Sequence, residues 1–103
     1  MIKIRRLENE DIEKVLNLEN EFPAKNRKPL TKEEISKMME KPDACLVAED
    51  DEEIVAFVLS EVSGEECIIR YANIVPNRMG ESILAKLFEK IVNYTKCKKL
   101  VKV

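Results

Sequence analysis

A chain of 103 residues is long enough for one hydrophobic core, and one domain is expected over 1–103. Its apolar content of 45% suffices for that core. The 37% of charged residues nearly cancel, to a net charge of −2, which excludes the basic excess on which nucleic-acid binding rests. No apolar run approaches the roughly 20 residues of a membrane span, and three cysteines without a C-x-x-C pair, in a chain lacking histidine, argue against a zinc site and for reduced thiols in a cytoplasmic protein.

In chain order, Ile2 and Ile4 alternate with Lys3 and Arg5, which predicts a first strand to about Arg6. Asn9 is placed to cap a helix with Glu10 and Asp11 in its first turn, an apolar stripe of Ile12, Val15, Leu16 and Phe22, and Pro23 at its end. The loop over 23–30 carries Lys25, Arg27 and Lys28. Thr31-Lys32-Glu33-Glu34 forms a capping box, with Leu30 and Ile35 as its hydrophobic staple; the helix it opens turns Met38 and Met39 inward and stops before Pro42. Apolar strands follow over 45–48 and 54–62, joined by an acidic turn over 49–52, and Ser63-Gly64 makes the next turn. The run over 67–75 is nearly continuous in apolar residues, which predicts a strand buried on both faces. Ile83, Leu84, Leu87, Phe88, Ile91 and Val92 mark a long amphipathic helix. Lys96, Lys98, Lys99 and Lys102 follow it, a solvated run that complements the helix dipole, and Leu100, Val101 and Val103 define a final strand.

The stretch with most chemical content is Ile74-Val75-Pro76-Asn77-Arg78-Met79-Gly80-Glu81-Ser82-Ile83. It reads as a strand that ends in a proline turn and feeds a helix, leaving backbone N–H groups that suit a phosphate. This order resembles the GNAT family of acetyl-CoA-dependent N-acetyltransferases, whose strand ends Val-x-Pro before an Arg-x-x-Gly-x-Gly/Ala helix mouth. Ile74 and Pro76 match the strand end, and Leu87-Phe88 match the paired apolar positions of the helix. Met79 then stands at the family's Arg, Ser82 at its first Gly and Leu84 at its second, while Gly80 falls where the family often also has Gly. Ile4-Arg5-Arg6-Leu7 with Glu10-Asp11-Ile12 is similar to a GNAT N-terminus. The resemblance covers nearly the whole chain, on element order and apolar phrasing.

The resemblance implies an α/β fold: a mixed, mainly antiparallel sheet of about five strands with three helices on its faces, lacking the family's C-terminal strands. The chain stops at Val103, about where the fifth strand lies, as a minimal version or a fragment. Two parallel strands are expected to splay around the start of the last helix. The resemblance also implies acetyl-CoA held by Ile74, Val75, Arg78, Met79, Gly80, Glu81, Ser82 and Ile83, with a backbone N–H within 73–75 polarising the thioester carbonyl. A small-molecule or protein amine is the acceptor, chosen by the first two helices and the 23–30 loop. Ile68, Arg70 and Ala72, which fall where the family often has its base, cannot accept a proton. That leaves Glu66, beside Glu65, as the candidate base and Tyr71 as a candidate lining the cleft; both carboxylates also read as solvated turn residues. Tyr94 reads as packing. Cys97, among lysines, is a minor candidate nucleophile. Two readings stay open, an N-acetyltransferase and a non-catalytic GNAT-like module that binds a partner or senses coenzyme A. The edge left by the final strand predicts a homodimer.

Overall fold

The computed structural model describes residues 1–23 and 28–102. The described residues form five strands and three α-helices: β1 (Lys3–Arg6), α1 (Ile12–Glu21), α2 (Lys32–Met38), β2 (Cys45–Asp50), β3 (Glu53–Ser63), β4 (Glu66–Ile74), α3 (Ile83–Thr95) and β5 (Lys99–Lys102). The strands lie in one sheet in their sequence order. The first four pair antiparallel and β5 lies parallel to β4. Lys25 and Arg27, two of the three loop cations, lie outside the described residues, as does Val103.

Local sequence accounts for most boundaries, with adjustments. The first helix is opened by Glu8 and Asp11 rather than by Asn9. The Glu8 N–H donates to the Asp11 carboxylate at 2.8 Å, and residues Asn9–Asp11 form a 3-10 turn that runs into α1. The reason is Arg5, whose guanidinium reaches Asp11 at 2.6 and 3.0 Å and Glu49 at 3.0 Å, pinning β1, β2 and the start of α1 together. Thr31 caps α2, accepting from the Glu34 N–H at 3.2 Å, and Leu30 and Ile35 are both buried in the cluster beneath it. The acidic hairpin is tighter than expected: Glu49 and Asp50 continue β2, and Asp51 and Glu52 alone make the turn, at φ 50° and 68°. Two consecutive left-handed residues are what a two-residue hairpin requires.

The sheet separates two apolar layers. Leu46, Ala48, Val58, Cys67 and Ile69 face α3 through Ile83, Leu87 and Ile91. Val47, Phe57, Leu59 and Tyr71 face α1 and α2 through Val15, Leu18 and Ile35. Cys45 and Cys67 are core residues. The expectation that β4 is buried on both faces is corrected: Arg70 is exposed and Ile68 only half-buried. A bulge explains the change. Leu59 pairs with Tyr71 but Ser60 with Ile69, so Arg70 has no partner on β3. The extra residue inverts the alternation, and Cys67 and Ile69 face α3 whereas Tyr71 faces α1 and α2.

Candidate functional site

Among the described residues, the outer edge of β4 is paired over its first part only. Pairing with β5 runs from Glu66↔Lys99 to Ile69↔Lys102. Beyond it, over 70–74, no strand lies on that edge among the described residues. The Val75 N–H bonds the Val55 carbonyl of β3 at 2.9 Å. Alternate residues of an antiparallel strand point their N–H groups to opposite sides, so those of Ile74 and Ala72 face the open edge.

This edge leads into the turn. Residues Pro76–Glu81 wind as a 3-10 helix, Ser82 takes the left-handed conformation (φ 58°, ψ 28°), and α3 begins at Ile83. The first intrahelical bond runs from Lys86 N–H to Ser82 O at 3.2 Å. The N–H groups of Ile83, Leu84 and Ala85 precede it, and they form the positive end of a 13-residue helix dipole. Met79 is exposed to solvent, and Leu84 packs on the α3 core. A Cβ placed on Gly80 meets no atom within 4 Å. The backbone at Gly80 is thus open to the outside, while Ser82 and Leu84 stand where the resembled motif has glycines.

Its charges are internally paired. Arg78 binds Glu81 at 2.7 and 3.0 Å and reaches Asp50 at the end of β2 at 3.0 Å. The hydrogen bonds from Arg78 hold the Glu81 carboxyl below its usual range, so Glu81 is anionic at neutral pH. Beside the turn lies an open cleft of about 470 Å³ whose lining includes Phe22, Ile54, Val75 and Pro76 together with the charged Glu21, Glu53 and Arg78.

The structure gathers Val75, Arg78, Met79, Gly80, Glu81, Ser82 and Ile83 at the turn, with Ile74 at the strand end leading into it. It does not bring the two candidate proton-transfer residues there. Glu66 lies at the opposite end of β4, roughly 25 Å along the strand from Ile74, with its carboxylate 3.7 Å from Lys99 Nζ. Tyr71 is buried, and its hydroxyl donates to Glu34 Oε2 at 2.7 Å. Cys97 is buried as well, and Tyr94 stacks beneath Arg6 at 4.5 Å.

Three polar side chains that the sequence did not assign to a site, those of Glu34, Asn73 and Glu19, stand along the open half of β4, on the α1 and α2 side. Glu34 holds Tyr71. Asn73 Nδ2 donates to Glu19 Oε1 at 2.9 Å and to the Phe22 carbonyl at 2.7 Å, and Asn73 Oδ1 accepts from the Ile74 N–H at 2.8 Å. These partners fix the orientation of the carboxamide, since only its oxygen can accept and only its nitrogen can donate. A signal existed: Glu19 falls on the apolar stripe of α1, four residues after Val15, and is buried as that spacing implies.

No protein-family model matches the sequence, and no curated protein does. Solved structures do match. The loading GNATL domain of CurA from Lyngbya majuscula superposes with a TM-score of 0.81 at 17% identity, covering 100% of this chain and 64% of that one. Diaminobutyrate acetyltransferase EctA from Paenibacillus lautus gives 0.79 at 18%, covering 95% and 60%. Glucosamine-6-phosphate N-acetyltransferase from Arabidopsis thaliana gives 0.70 at 19%, covering 100% and 82%. The chain thus spans about three-fifths of the length of the first two. At this level of identity the likeness is one of architecture, and the five-stranded sheet with its helices, in this order, is the GNAT fold.

Proposed function

We propose that the chain binds acetyl-CoA along the open half of β4 and transfers the acetyl group to an amine. The observation that carries this reading is a strand edge with outward N–H groups that runs directly into a helix N-terminus with an open turn before it. The diphosphate rests on the turn formed by Arg78, Met79, Gly80, Glu81, Ser82 and Ile83, and the ligand's extended arm lies beside Ile74 and Val75. The solved EctA complex holds coenzyme A together with a diamine substrate, L-2,4-diaminobutyric acid, in the same fold. The substrate ammonium first gives one proton to water; the free amine attacks the thioester carbonyl, and the tetrahedral adduct collapses to an amide and the coenzyme A thiol, the departing sulfur taking up the proton that the nitrogen sheds. Glu66 lies at the far end of β4 and Tyr71 is hydrogen-bonded to Glu34, so the rate gain comes from holding the two reactants together and polarising the carbonyl. The acceptor, a small molecule or a protein amine, enters from the side of α1 and α2.

The placement of Glu66 and Tyr71 favours a second reading, a GNAT-like module that binds coenzyme A without turnover. Two measurements separate these. Acetyl-CoA is expected to raise the melting temperature in both cases; a flat response at about millimolar ligand, far above the range of a functional site, overturns the cofactor reading. Release of free thiol over a panel of amines, above the rate without protein, marks the transferase. Binding without release leaves the module. Light scattering tests the homodimer expected from the exposed edge of β5: a monomer mass at high concentration refutes it.

A further inference from the structure

The carboxamide of Asn73 occupies the N–H that the open edge of β4 would offer to a ligand. Along 70–74 the outward N–H groups are those of Ala72 and Ile74, spaced about 7 Å apart as alternate residues of a strand are. An extended ligand laid along such an edge is held by its carbonyl oxygens, as an added strand would be. The arm of coenzyme A is a chain with two amides in series and suits that edge. At Ile74 the position is already filled: Asn73 Oδ1 accepts from this N–H at 2.8 Å, as an amide carbonyl of the arm would.

We propose that Asn73 is a built-in competitor for the coenzyme A arm, and that seating the arm turns its side chain off Ile74 and loosens the end of α1. The coupling follows from the rigidity of the carboxamide. Its nitrogen holds Glu19 Oε1 at 2.9 Å and the Phe22 carbonyl at 2.7 Å, at the last turn of α1 and its C-cap. The oxygen cannot swing away from Ile74 without moving the nitrogen, so both of those bonds loosen together. Phe22 also lines the cleft beside the turn. Arrival of the cofactor is thereby transmitted to the surface on which an acceptor lands. The inference rests on the acetyl-CoA reading above and adds to it a position-specific cost of binding.

The test compares coenzyme A with its nucleotide fragment, adenosine 3′-phosphate 5′-diphosphate, which has the diphosphate but no arm, by calorimetry on the unaltered chain and on Asn73→Ala. Removing the competitor is expected to tighten coenzyme A about threefold to tenfold, the worth of one net hydrogen bond, and to leave the fragment unchanged. Coenzyme A affinity that stays level or falls, with the fragment unchanged, overturns the role of Asn73 and leaves the cofactor reading standing. Failure of the unaltered chain to bind either compound overturns both. Should Asn73→Ala not fold, amide NMR on the unaltered chain decides. The Ile74 N–H and the Asn73 side-chain NH2 signals are expected to move with coenzyme A and not with the fragment; if they respond alike to both, or to neither, the proposal is wrong.

Discussion

The two halves of β4 have the same neighbour on one side and different surroundings on the other. Over 66–69 the strand is paired with both β3 and β5. Over 71–74, among the described residues, it is paired with β3 alone. A buried or half-buried N–H left without a partner costs about as much as a lost hydrogen bond, so the open half has to find partners elsewhere. Ile74 finds one in the side chain of its own neighbour, Asn73. One inserted residue, Arg70, thus exchanges the faces that Cys67 and Tyr71 present.

The largest expected effect tests whether α3 holds both halves. Leu87 is fully buried in one cluster with Cys67 and Ile69 from the paired half and Ile74 from the open half. Leu87→Ala is expected to lower unfolding stability by about 2–5 kcal/mol, read from urea denaturation. A loss below about 1 kcal/mol would break the comparison, because the open half would then have to be supported by the turn or by α1 instead.

The next effect concerns the face of the sheet that the open half shares with α1. There the start of α1 is anchored by Arg5, far in sequence from β4. Burial pushes the Asp11 carboxyl up, but hydrogen bonds from the Arg5 guanidinium and the Glu8 N–H outweigh it and hold the group below its ordinary value of 3.8. A depressed carboxyl binds protons more readily when unfolded, so its contribution is fully present above that value and is lost as pH falls below it. Asp11→Asn is expected to cost about 1.5–3 kcal/mol at neutral pH and to flatten the acid limb of the stability curve. An unchanged acid limb would show that Arg5 is satisfied by its remaining partners, Glu49, Glu8 and the Arg6 carbonyl. Smaller still, Tyr71→Phe removes the bond to Glu34 and is expected to cost about 1.5 kcal/mol. Coenzyme A affinity should not change, since the hydroxyl points to α2 and not to the edge. A loss of thiol release at unchanged stability would instead return Tyr71 to the chemistry.

Order and type of the elements were legible because each carries its own local signal: the Thr31 cap, the alternation of β2 and β3, the stripe of α3. The turn at Pro76 was legible because proline and the start of an apolar stripe fall in fixed order. What stayed hidden depends on partners distant in the chain. The bulge at Arg70 is set by register against Ser60, and nothing in the run Cys67-Ile68-Ile69-Arg70-Tyr71 announces it. Arg78, expected among the residues that hold acetyl-CoA, is committed to Asp50 from another strand. Asn73 and Glu19 lie 54 positions apart and gain meaning only once α1 is laid against β4.

The smallest expected effect sharpens what the open half is for. Glu81 sits in the turn that a diphosphate would occupy, carries a negative charge at neutral pH, and engages two nitrogens of Arg78. A diphosphate meets repulsion from this carboxylate and finds its nearest guanidinium already bound. Glu81→Gln keeps the size of the side chain, removes the charge and weakens the hold on Arg78. Coenzyme A is then expected to bind more tightly, though by less than in Asn73→Ala, because the group is solvent-exposed and water screens it. The gain should shrink as salt is raised and should be equal for coenzyme A and its nucleotide fragment, since both carry the diphosphate. The two variants therefore divide the site: Asn73→Ala acts on the arm and Glu81→Gln on the phosphates. If Glu81→Gln favoured coenzyme A over the fragment, or left both unaffected at low salt, the diphosphate would not be resting on this turn, and the open edge of β4 would have to be serving a different ligand.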